Sequence, residues 1–76
     1  MSEALLDLRG LRCPWPAIRV ARAIREAGEG AVIVAVADDP IAPREIGAVA
    51  RERGWVVSDV RTAIGPGLCL SAAGRP

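Results

Sequence analysis

The run Cys13-Pro14-Trp15-Pro16 is where residue type and spacing offer chemistry in this chain. A pattern of apolar residues at helical spacing begins just after Cys13, so the cysteine is predicted at the N-terminal edge of a helix. Pro14 and Pro16 are tolerated in a first turn, whose N–H groups lack intrahelical partners, and their fixed φ makes that turn rigid. The positive end of the helix dipole and the neighbouring Arg12 are expected to favour thiolate over thiol. A thiolate is the form that attacks sulfur, and the same field would stabilise the terminal anion of a persulfide. On residue type alone, an ordinary small apolar role at a helix start is equally well supported.

Few other constellations can be assembled. All ten basic residues are Arg, and with neither His nor Lys present, the usual general base, the commonest metal ligand and the Schiff-base amine are all missing. Activation of Cys13 by its local field is therefore the expected route. The second cysteine, Cys69, lies between Leu68 and Leu70 in an expected strand and should face away from them, as a small structural residue. Asp38 and Asp39 precede Pro40, and the expected role of the pair is a turn. Arg19, Arg22 and Arg25 give the first helix a basic side. Together with an exposed Trp15, Arg12, Arg19 and Arg22 are the groups placed to dock a protein partner.

The elements that position Cys13 follow from periodicity. Ala4 to Leu8 reads as a short strand ended by Arg9-Gly10. Pro14 to Ala27 reads as a helix with Ala17, Val20, Ala21, Ile24 and Ala27 on one face and Gly28 as its C-terminal cap. Ala31 to Ala37 is β-branched and continuous, as a central strand should be. Pro43 to Arg53 is a second helix, with Glu45 complementing its dipole and Gly54 ending it. Trp55 to Arg61 and Leu68 to Ala72 are two strands joined by a Gly65-Pro66-Gly67 turn, and 74–76 is expected to fray. The order β-α-β-α-β-β, with right-handed crossovers, places both helices on one face of a mixed sheet.

Seventy-six residues make one domain, spanning 1–76, with little room for an enclosed substrate pocket. The net charge of +1 argues against a nucleic-acid or membrane partner. The first residues lack the basic and apolar regions of a signal peptide, and no apolar run is long enough to span a bilayer, so a cytoplasmic location is expected. In that compartment Cys13 and Cys69 are expected to stay reduced.

Gly10-Leu11-Arg12-Cys13-Pro14-Trp15-Pro16, preceded by Leu6-Asp7, resembles the Cys-Pro-x-Pro signature of the TusA/SirA family of sulfur-carrier proteins. Asp38-Asp39-Pro40, Arg44-Glu45-Ile46 and Gly54 match the same family in order and spacing, so the resemblance runs from about Leu6 to Leu70. It implies an α+β two-layer sandwich, with two helices on one face of a four-stranded mixed sheet. It implies further that Cys13 accepts a sulfane sulfur as a persulfide, with no cofactor and no metal. The donor would be a cysteine desulfurase or rhodanese-like protein. A partner protein would receive the sulfur, as in tRNA thiolation, molybdenum-cofactor sulfur supply or sulfur oxidation. A monomer is expected. Trp15 stands where tRNA-thiolation members often carry an acidic residue, and Glu45 where they usually carry Asp. The competing readings are a regulatory or scaffold domain on the same fold, with Cys13 inert, and an RNA-binding module. The element order of the latter is similar, but the balanced charge disfavours it.

Overall fold

A computed structural model describes residues 3–28 and 30–72. The elements are β1 (Glu3–Asp7), α1 (Trp15–Glu26), β2 (Val32–Val36), α2 (Ala42–Glu52), β3 (Val56–Thr62) and β4 (Gly65–Ser71). The order is the expected β-α-β-α-β-β, and the boundaries shift by one residue except at β4, which begins three residues earlier than expected. The frayed tail expected at 74–76 lies outside the described residues.

Helix α1 buries Pro16, Val20 and Ile24, one residue per turn along a single ridge. Helix α2 does the same with Ala42, Ile46 and Ala50. Both ridges rest on one face of the sheet, against Leu8, Ile33, Ala35 and Leu70, so two helices and four strands share a single aliphatic core. Among the described residues no helix is long and apolar enough to cross a membrane.

The strands lie in the order β1-β2-β4-β3. β1 runs parallel to β2, with Leu5 opposite Val34, while β4 is antiparallel to both β2 and β3. The last strand thus folds back between the second and the third. Its Leu68-Cys69-Leu70 centre suits an interior position. The more polar β3, with Ser58, Asp59 and Arg61, takes the edge, where solvent satisfies its outer side.

Two local expectations are corrected. The reversal before β4 is made by Ala63 and Ile64, and Gly65-Pro66-Gly67 belongs to the strand itself. Thr62 closes the turn: its hydroxyl donates to the Gly65 carbonyl at 2.7 Å and accepts from the Ile64 N–H. Pro66 is tolerated because it lies opposite Arg61, beyond Leu68, the last β4 residue paired with β2. Nor is Gly28 a left-handed cap, because α1 leaves through an extended Ala27 and the positive φ of 76° falls at Gly30. Gly54, by contrast, ends α2 as expected. Its N–H bonds the Arg51 carbonyl and that of Trp55 reaches Ala50, the paired closure that a left-handed glycine permits.

Candidate functional site

Cys13 sits in the loop between β1 and α1, at the end of the molecule where the parallel strands finish and both helices begin. The loop is tied down at each step. Leu8 is fully buried and continues the strand pairing by donating its N–H to Val36. Arg9 grips Asp7 with two side-chain bonds of 2.8 Å. Gly10 turns the chain with a φ of 88°, a conformation that side chains resist, and gives its N–H to Asp38 at 2.9 Å. The Cys13 N–H then donates to Asp39 Oδ2 at 3.0 Å, while the other oxygen of that carboxylate accepts from Ile41. Asp38 and Asp39 therefore do more than turn their own chain. They fasten the cysteine loop to the start of α2.

Pro14 occupies the N-cap of α1 and is joined to Cys13 by a cis peptide bond. Pro16, in the first turn, is fully buried and anchors the helix start in the core. Arg12 supports the start through its backbone, its carbonyl accepting from the Trp15 N–H at 2.8 Å. The thiol itself remains exposed.

The electrostatics of that thiol reverse the expectation. Cys13 Sγ lies 3.9 Å from Glu45 Oε1 and donates its S–H toward it. Partial loss of water around the sulfur, the negative charges of Glu45 and Asp39 and the hydrogen bond to Glu45 all push the thiol above its ordinary value. The reason is positional. Cys13 precedes the N-cap, one step back from the helix N–H groups, and the half-buried Glu45 from the first turn of α2 fills the space beside it. The Arg12 charge acts on Asp39, whose carboxyl is held low chiefly by the N–H groups of Ile41 and Cys13. The sequence marks Glu45 as a helix-start residue and as part of the family pattern, but not as a neighbour of Cys13. Nothing in its spacing from Cys13, 32 residues away, places the two together.

Trp15 is 56% exposed, and Ile18 and Ile41 are about half exposed at the same two helix starts. Arg19 and Arg22 follow Trp15 along one side of α1 and line a shallow groove with Leu6, Ala23 and Glu26. Arg22 is paired with Glu26 at 3.2 Å. Cys69 lies elsewhere, half-buried between Val34 and Ser58 on neighbouring strands. Among the described residues no group of three or more His, Cys, Asp or Glu side chains could hold a metal ion.

Comparison with known proteins gives the family and the fold. The family model described as sulfurtransferase TusA matches residues 4–67. A protein of Neisseria meningitidis serogroup A, named as a candidate sulfur carrier, is 36% identical over 59 residues, which cover 78% of this chain and 80% of that protein. Its serogroup B counterpart matches to the same extent. The crystal structure of a SirA-like protein from Desulfitobacterium hafniense superposes with a TM-score of 0.79 at 26% identity, over 93% of this chain and 99% of the other. With the family match spanning most of the chain and the same two-layer fold found in a SirA-like relative, this protein belongs to the TusA/SirA family of sulfur carriers.

Proposed function

We propose that this protein is a sulfurtransferase of the carrier type, which accepts a sulfane sulfur as a persulfide on Cys13 and relays it to a partner protein. The observation that carries the reading is the placement of Cys13: an exposed thiol on a loop pinned by Asp38 and Asp39, in a chain of a sulfur-carrier family.

In the loading step the Cys13 thiolate attacks the terminal sulfur of a donor persulfide. A bond forms between Sγ and that sulfur, the donor's S–S bond breaks, and the donor leaves as a thiolate that takes up the proton Cys13 lost. No net oxidation occurs and no cofactor is required. Unloading is the same exchange with an acceptor thiol. The donor is a cysteine desulfurase or a rhodanese-like protein. The acceptor belongs to a relay such as tRNA thiolation, molybdenum-cofactor sulfur supply or sulfur oxidation. The relay runs in the cytoplasm, where thiols are kept reduced, with the carrier acting as a single chain.

Incubation with a protein persulfide donor is expected to add one sulfur atom to Cys13 and none to Cys69, read by intact mass and peptide mapping. Cys13→Ser is expected to fold with a nearly unchanged thermal midpoint and to carry nothing, since the side chain is exposed. Loading on Cys69 alone would reject the assignment.

A further inference from the structure

The contact between Cys13 and Glu45 joins two elements that share no sequence neighbourhood, and the direction of its effect bears on cargo. The Glu45 carboxylate stands 3.9 Å from the sulfur. Among the described residues the ion pairs are Arg9 with Asp7 and Arg22 with Glu26, and neither involves Glu45. The charged groups that act on the thiol are Glu45 from α2 and Asp39 from the loop before it, and Arg12 acts in turn on Asp39. An empty, neutral thiol suits this setting, because its S–H has an acceptor. A sulfur anion does not, because it loses that hydrogen bond and faces a carboxylate at close range. A persulfide is a stronger acid than a thiol, so the cargo is the anionic state.

We propose that Glu45 tunes the sulfur site through its contact with Cys13 Sγ: its carboxylate favours the empty thiol and weakens the grip of Cys13 on a loaded, anionic persulfide. The inference rests on the carrier function proposed above. Its consequence is that Cys13 binds sulfur less tightly than an unhindered thiol would and gives it up readily to an acceptor. The exchange balances as Cys13–SH plus a small perthiolate giving Cys13–S–S⁻ plus the small thiol. The sulfane sulfur and the negative charge move to Cys13, and the proton moves to the departing thiolate. Glu45 therefore sets the position of this equilibrium through the charge it presents to the product.

The experiment uses glutathione persulfide and glutathione as the exchanging pair, in the absence of oxygen, with wild type, Glu45→Gln and Glu45→Asp. The ratio of loaded to empty Cys13 is read by mass spectrometry. A second readout needs no sulfur transfer: the rate at which iodoacetamide alkylates Cys13, followed as a function of pH. Glu45→Gln is expected to raise the loaded-to-empty ratio by at most about fivefold, the effect of one unit charge at ~4 Å in a water-like dielectric, because the anion sits on the outer sulfur, one bond beyond Sγ. It is also expected to move the alkylation profile to lower pH. Glu45→Asp keeps the charge and is expected to stay near wild type. Equal ratios and superimposable profiles for wild type and Glu45→Gln would overturn the role of Glu45 and leave Cys13 as the carrier. A profile that shifts while Cys13 loads in none of the three proteins would overturn the carrier function itself.

Discussion

Asp39 carries two loops on one carboxylate, accepting from Cys13 with one oxygen and from Ile41 with the other. Those bonds exist only in the folded protein, and they favour the ionised acid, so its folded pKa lies below the 3.8 of the free group. Asp7, gripped by Arg9, is pulled down further, to about 2. A depressed carboxylate stabilises the fold fully above the unfolded value and loses that contribution as pH falls through the folded value. The thermal midpoint of the wild type is therefore expected to drop on acidification from just below pH 4 toward pH 2. Asp39→Ala is expected to start from a lower midpoint and to show a shallower acid-induced loss, because one of the depressed groups is gone. A melting series from pH 7 to pH 2 for both proteins checks this. An unchanged slope in the variant would assign the acid sensitivity elsewhere. The cysteine shows the opposite linkage: with its folded pKa raised, its contribution is present at neutral pH and disappears in alkali.

At the scale of elements, the hairpin of β3 and β4 depends on close backbone approach. A Cβ added at Gly67 would lie 2.6 Å from the Ala35 carbonyl oxygen and 3.0 Å from Val36 Cγ2. The first of these is main chain in the central strand, so the clash cannot be relieved by a rotamer change. Gly67→Ala is expected to destabilise the domain by about 1–3 kcal/mol, the usual cost of forcing an extra methyl group against fixed main chain. In urea denaturation the midpoint should fall while the slope stays the same, since the surface exposed on unfolding hardly changes. A midpoint equal to wild type would mean that β4 can move away from β2 at little cost.

At the scale of the whole molecule, both helices cover one sheet face and both begin at the end that carries Cys13. That end also presents Trp15, Ile18 and Ile41, with Arg19 and Arg22 descending along α1. An exposed aromatic with a basic flank suits docking of the partner protein that the proposed relay calls for, because aromatic anchors in desolvated pockets dominate binding energy. Trp15→Ala is expected to leave loading of Cys13 by inorganic polysulfide unchanged and to slow transfer from a protein persulfide donor. Arg19→Glu is expected to slow the same transfer more at low salt than at high salt, because rim charges act chiefly on association. Stopped-flow transfer rates at two ionic strengths check both. Rates equal to wild type for the two variants would move the docking face away from this side of α1.

The helices, the central strand and the placement of Cys13 were legible in the sequence because each is encoded locally. Apolar residues recur once per turn in α1 and α2, β-branched residues run unbroken through β2, and prolines mark a helix start whatever surrounds it. The Gly65-Pro66-Gly67 segment misled for the same local reason. Its composition signals a turn, and only its pairing with Arg61 and its approach to Ala35 turn it into strand. The character of the sulfur site was decided by tertiary structure. Proximity to a helix start and to Arg12 argued for an acidified thiol. Folding instead brings Asp39 across 26 residues and Glu45 across 32 to the same cysteine. Charge interactions follow distance in space, so a sequence read locally picks out the cysteine, while only the packing of α2 beside the loop shows which charges stand next to its sulfur.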